Sequence, residues 1–218
     1  MGIIVLLAAL VGPAINAING SGNLSKTASD ISDLLQQARA YAMANNTYVY
    51  VAIDEFDANN AKLVQGNGRI AVAIVASKNG IRPAKLDGSG TIPVSKLQKF
   101  DNAHLATGEV GTSGNMERTT GAPEVVNLAS QSATSPLTWS SGGGSTEFRK
   151  VIEFDPQGVA RPQVDLATPG VTGKTIVGWI EIGLQPSHGG NVSNAANEKN
   201  VAAIQVDGTT GVVRLYRP

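Results

Sequence analysis

Few side chains in this sequence are equipped for chemistry. The 218 residues include no cysteine and only two histidines, His104 and His188. The lack of cysteine removes disulfides, thiolate metal sites and cysteine nucleophiles together. His188 sits beside Gly189-Gly190 and His104 follows Asn102-Ala103. Neither has partners at metal-ligand spacing, so both read as loop histidines. Asp54, Glu55, Asp57, Asn59 and Asn60 gather oxygen atoms suited to calcium. Their spacing misses the alternate-position pattern of an EF-hand, and a solvated turn is expected. Gly170-Val171-Thr172-Gly173-Lys174-Thr175 hints at a phosphate loop, but Thr168 stands where the pattern needs glycine. Thr175 to Ile182 reads as a strand, whereas that motif must open a helix. Gly66-Asn67-Gly68 lacks the strand-turn-helix setting of a dinucleotide site. No G-x-S-x-G elbow accompanies the many serines. Tyr48 and Tyr50 share a strand face, placed either to stack on a ligand or to pack a sheet. Asn23, Asn45 and Asn191 begin glycosylation sequons, a short pattern of little weight alone. Acid, base and nucleophile nowhere converge, so the expectation is a non-enzymatic chain with no cofactor and no metal.

Composition points the same way. Lys+Arg and Asp+Glu both number 17, giving zero net charge, and charged residues make up only 16%. Nucleic-acid binding through bulk charge is not expected without a basic excess.

The elements that position these residues begin with an uneven start. No charged side chain occurs before Lys26, and Ile3 to Val11 is an unbroken apolar run extended by Pro13, Ala14, Ile15, Ala17 and Ile18. A helix apolar on every side wants lipid or the centre of a bundle. The run falls somewhat short of the ~20 residues of a bilayer span. A signal peptide and a buried core helix are its rivals; the first lacks a basic n-region and a clear cleavage site. Pro13 should kink the helix, and Gly20-Ser21-Gly22 should loosen or interrupt it. Leu24, Ala28, Ile31, Leu34, Leu35, Ala38, Tyr41 and Ala42 then recur at steps of three and four, marking one buried helical face. Asn45-Asn46 supplies a stop.

Residues 2–14, with their Ile/Leu/Ala-rich run reaching Pro13, resemble the latter part of the hydrophobic helix of type IV pilins and type II secretion pseudopilins. Leu34-Leu35-Gln36-Gln37-Ala38-Arg39-Ala40-Tyr41-Ala42-Met43-Ala44-Asn45-Asn46 resembles the corresponding stretch of the minor pseudopilin H (FimT-like) branch. The closing segment from Ala203 to Pro218 is similar to the terminal hairpin of the pilin-like family called Verru_Chthon cassette protein D. The likeness covers both ends and little of the middle. The family's basic leader, glycine cleavage site and early acidic residue are absent, because Met1 falls inside the region of the apolar helix; a start codon assigned too far downstream, or a trimmed chain, is the expected cause.

The resemblance implies a structural, minor subunit of a type IV pilus-like or type II secretion pseudopilus filament. Its globular part would be periplasmic or in an extracytoplasmic filament. Ile3, Ile4, Leu6, Leu7, Leu10 and Pro13 would form the single-pass inner-membrane and filament helix. Its partners would be other pilin or pseudopilin subunits. The alternative is a secreted or surface-tethered β-rich binding module with an export signal.

After Asn46 the period becomes two. Strands are expected over 47–53, 70–76, 150–154, 175–183, 201–206 and 212–216. Asp155-Pro156-Gln157-Gly158 and Asp207 to Gly211 form turns. The stretch 54–60 is expected to be a turn or loop, 96–105 a short helix or an edge strand, and 101–147 and 187–200 polar loops. The expected fold class is α+β, a long N-terminal helix on an antiparallel sheet or sandwich. The parts are 1–22, the apolar half-helix, and 23–218, a globular domain of amphipathic helix (23–46) and β-rich body (47–218). Leu24, Ile31, Leu34, Leu35 and Ala38 should meet Val213 and Leu215 of the last strand, with Arg214 outward, since an unpaired guanidinium in a core is costly.

Overall fold

The computed structural model describes residues 2–111, 116–121, 124–133, 136–141, 144–163, 176–192 and 200–218, with side chains for all of these except 2–22 and 141. The chain opens with α1 (Gly2–Ala44), one helix that includes Pro13 and runs without interruption through Gly20-Ser21-Gly22. It ends where Thr47 N–H bonds the Ala42 carbonyl (3.0 Å) and Asn46 takes φ +50°. This is a left-handed stop of the kind asparagine tolerates.

Strands β1 (Val49–Asp57), β2 (Gly68–Ser77), β3 (Thr91–Pro93), β4 (Gln98–Asp101), β9 (Val151–Phe154) and β10 (Ala160–Pro162) build the first sheet. Its order is β10-β9-β1-β2, with β3 and β4 sharing the far edge of β2. The second sheet centres on β11 (Trp179–His188). Along one side of it run β12 (Asn191–Val192) and β13 (Ala202–Asp207), and β14 (Val213–Tyr216) pairs with β13. Along the other side lie β5 (Ala103–Ala106) and β6 (Val125–Asn127). Strands β7 (Leu137–Ser141) and β8 (Gly144–Phe148) form a separate hairpin.

The expected α+β class is therefore corrected. Among the described residues strand makes up 44%, in three sheets with no closed barrel, and the part of α1 from Asn23 to Ala44 that joins the body is 22 residues long. The protein is mainly β. The helix supplies one stripe of a core that two sheets otherwise build. The stretch 101–147, expected as loops, contributes β5 to β8 and buried Val110, Val126, Leu128 and Leu137. Pairing is also not wholly antiparallel, because β6 runs parallel to β11.

Among the described residues, the backbone joins the two sheets at two places. At Asn102 (φ +60°) the chain passes from β4 in the first sheet directly into β5 in the second. Asn102 N–H bonds the Gly68 carbonyl (2.9 Å), and its own carbonyl accepts from Ser187 N–H (3.1 Å). A sheet-switching corner needs such a local bend. At the other joint, Ala160 N–H reaches the Gly208 carbonyl (3.1 Å). There Gly211, at φ +66°, lies so close to Gly158 that a Cβ would come within 2.0 Å of the Gly158 oxygen. No other residue fits that approach.

The main core gathers Leu24, Ile31 and Leu35 of α1 with Val51 and Ile53 of β1, Ile180 and Ile182 of β11 and Ile204 of β13. The opposite face of the first sheet is buried too, under the β7–β8 hairpin. Tyr50, Phe56, Leu137 and Phe148 pack there, with Phe56 and Phe148 edge to face at 5.3 Å.

Candidate functional site

The residues expected to form the membrane and filament helix, Ile3, Ile4, Leu6, Leu7, Leu10 and Pro13, lie within α1, but their side chains fall outside those described. Among the described residues no helix is long and apolar enough to cross a membrane. The rest of α1 can be placed. Leu24, Ile31, Leu35 and Ala38 are buried, whereas Leu34 is half-buried at the margin of the core. Val213 and Leu215 of β14 are half-buried against the same core. Arg214 is exposed, with its guanidinium 5.2 Å above the Trp179 ring.

Two polar clips bind the helix to the last hairpin. Arg39 Nε donates to the Thr210 carbonyl (2.8 Å), and Arg217 Nη2 donates to the Ser25 carbonyl (2.6 Å) while its other terminal nitrogen bonds the Ser25 hydroxyl. The turn presenting Thr210 is organised by Asp207. Its Oδ1 accepts from the N–H of Thr209 (2.8 Å) and Thr210 (2.9 Å) and from the Thr209 hydroxyl (2.6 Å). Burial alone would raise this carboxyl, but the hydrogen bonds outweigh it and hold its pKa below the ordinary value. A depressed folded pKa adds stability above the unfolded value and loses it as pH falls through the folded one. The Asp207 contribution is thus expected to be complete at neutral pH and to fade in acid. Denaturant melts across that range should show a shallower acid loss for Asp207→Asn, and an identical loss would remove Asp207 from the account.

The acidic stretch expected as a turn is largely strand, because β1 runs on through Asp57. Asp54 and Glu55 are buried on opposite faces, as strand geometry requires. Asp54 Oδ2 accepts from Arg149 N–H (2.8 Å). Glu55 accepts from the N–H of Gly68 (2.7 Å) and Leu105 (3.2 Å) and meets His104 Nδ1 at 2.9 Å. His104 is consequently not a loop residue. It is a half-buried member of β5 that ties the second sheet to β1. His188 ends β11 and is exposed. Among the described residues, no group of three or more histidine or acidic side chains is placed to hold a metal. The segment Gly170 to Thr175 lies outside the described residues.

Tyr48 and Tyr50 pack the first sheet beneath Arg82, whose guanidinium lies 4.9 Å above the Tyr48 ring. Arg82 binds the fully buried Glu153 through Nε (3.1 Å to each oxygen) and Nη2, and Gln163 Nε2 donates to the same carboxylate (2.6 Å). Burial first, then the Glu153 charge, push the Tyr50 phenol above its ordinary pKa.

Sequence reasoning missed a second buried pair, on the outer face of the second sheet. Arg118 and Glu181 have fully buried side chains (0% exposed each) joined in a fork, with Nε and Nη2 each 2.9 Å from one oxygen. Arg118 Nη2 also donates to the Val110 carbonyl (2.7 Å), and Gln205 Nε2 donates to Glu181 (2.8 Å). Only one signal existed: a glutamate inside the apolar run Trp179-Ile180-Glu181-Ile182, whose alternation implied a solvent-facing side. In both networks the carboxylate is fully buried and held by an arginine and a glutamine.

Open space lies elsewhere. A groove of about 410 Å³ runs between α1 and β4, lined by Asp30, Asp33, Leu34, Gln37, Gln98 and Phe100. A second, of about 500 Å³, lies across the other face of β4, with Lys62, Val64, Leu97, Lys99, Trp139 and Thr146 along it. A third, about 450 Å³, separates Gln36, Arg39 and Ala40 from Gly211 to Val213. All three are surface grooves without a convergent acid, base and nucleophile. No family model, curated protein or solved structure matches the chain.

Proposed function

We propose that this chain is a structural subunit of a type IV pilus-like or type II secretion pseudopilus filament, held in the inner membrane by its N-terminal half-helix before assembly. One observation carries the proposal. A single continuous helix, α1, has its second half built into the core of the β body from Leu24 onward, and its first half is the charge-free run of the sequence. A helix embedded at one end in a rigid body transmits that body's position to whatever surrounds the other end. In the membrane those surroundings are lipid, and in a filament they are the helices of other subunits. The move exchanges one apolar environment for another, so close packing must favour it, and Gly2, Ala8, Ala9 and Gly12 are small enough to permit close approach. The β body, with its buried ion pairs and open grooves, serves as the outward-facing part. No catalytic role is proposed.

Cell fractionation tests this. The full-length chain is expected with membranes and in sheared surface filaments, and a version beginning near Asn23 is expected to be folded and released from membranes. A full-length chain that stays monomeric in the soluble fraction without detergent would sink the proposal.

A further inference from the structure

We infer that copies of this chain dock head to tail across β4, the acidic groove of one molecule receiving the basic groove of the next. The inference rests on the filament proposal for its biological role, and it names a contact between the β bodies.

Among the described residues, strand β4 hydrogen-bonds only to β2 and so forms part of a sheet edge. Successive side chains of a strand point to opposite faces. Gln98 and Phe100 accordingly line the groove beside α1, while Leu97 and Lys99 line the groove beside Trp139. The charges separate along the same division. Among the described residues, the first groove carries Asp30 and Asp33 and no cation in its lining, and the second carries Lys62 and Lys99 and no carboxylate. Lys26 pairs with Asp30 from the adjoining turn of the helix. Asp33, Lys62 and Lys99 have no ion-pair partner among the described residues. Each groove also offers apolar surface, Leu34 and Phe100 in one, Leu97, Trp139 and the exposed Val64 in the other.

The occupant is decided by the signs. A symmetric pairing would set acid against acid or lysine against lysine. Joining unlike grooves satisfies both, and each addition leaves one unlike groove free at either end. Such a heterologous contact propagates into an open chain unless its rotation closes a ring. With 17 positive and 17 negative side chains, the molecule has no overall repulsion to oppose a second copy.

The absence of native cysteine makes the test direct. Gln37→Cys places a thiol in the acidic groove and Ser145→Cys places one in the basic groove, both at exposed positions with the charges untouched. The two full-length variants are purified in detergent, mixed and treated with a short bifunctional thiol crosslinker. A Gln37–Ser145 dimer is expected, well above the product of Gln37→Cys with Thr120→Cys, an exposed control on another face. Added salt should lower the yield, since exposed charges are screened. Adding K62E/K99E to the Ser145→Cys chain should weaken dimerisation about tenfold, attraction at two exposed pairs having become repulsion. Adding D30K/D33K to its partner should restore it. The inference is overturned if the mixed dimer does not exceed the control, if Gln37→Cys alone dimerises equally well, or if the reversed pair is not rescued. Filament incorporation of the same variants separates the two ideas. Incorporation without the mixed dimer sinks the contact and leaves the filament proposal, whereas a mixed dimer in a chain that never reaches membranes supports the contact and sinks the filament proposal.

Discussion

Arg118→Leu is expected to destabilise the protein by about 3–5 kcal/mol, the usual result of removing one partner from a buried ion pair. The variant would leave the Glu181 carboxylate fully buried with only Gln205 still donating to it, and would strip the Val110 carbonyl of its donor. Folded domains are stable by only about 5–15 kcal/mol, so this loss is a large share of the total. Glu181→Leu should cost about as much by the mirror-image route, an unpaired buried guanidinium. The double replacement should cost clearly less than the sum of the two, because it removes both charges at once. Denaturant melts of the four proteins supply the cycle. Strict additivity would mean that the two side chains do not depend on each other and would refute the pairing.

Leu35→Ala should cost about 2–5 kcal/mol, the range for truncating a fully buried leucine. Leu35 is 0% exposed and sits where α1 meets both sheets. Its neighbour Leu34 is only half-buried, at the groove with Phe100, and Leu215 is likewise half-buried. Leu34→Ala and Leu215→Ala should therefore fall below Leu35→Ala. Arg214→Ala removes only a stacking contact over Trp179, worth about 0.5–1 kcal/mol at an exposed site. Melts of the four variants give the order. Should Leu34→Ala exceed Leu35→Ala, the rotation of α1 about its axis is not as described.

The helix was legible because its apolar residues repeat at 3.6 and its stop is marked by Asn45-Asn46. Strands β1, β2, β9, β13 and β14 were legible because they are rich in branched and aromatic residues and border turns marked by Asp, Asn or Gly. What escaped was burial by partners distant in sequence. Asp54 and Glu55 look solvated locally, but their ligands are the backbones of Arg149, Gly68 and Leu105. Glu181 looks outward until the segment carrying Arg118 is laid over it. The middle of the chain, polar and glycine-rich, reads as loop because its strands are three to five residues long, too short for a period to emerge. The class was misjudged for the same reason, since the helix announced itself and the short strands did not. The grooves flanking β4 were equally hidden, because they join α1, β4 and the β7–β8 hairpin only in three dimensions.

The clip between Arg217 and Ser25 spans 192 residues of sequence, and that between Arg39 and Thr210 spans 171. Contacts of such long range slow folding, because a large loop must close before they form. They also set an order of events during synthesis. The stripe of α1 that meets β14 is made before the strand that covers it, with every other strand of the two sheets in between. Until β14 follows, this side of the helix lacks its final cover. A nascent chain in that state is open to holding factors, and it closes only when β14 arrives.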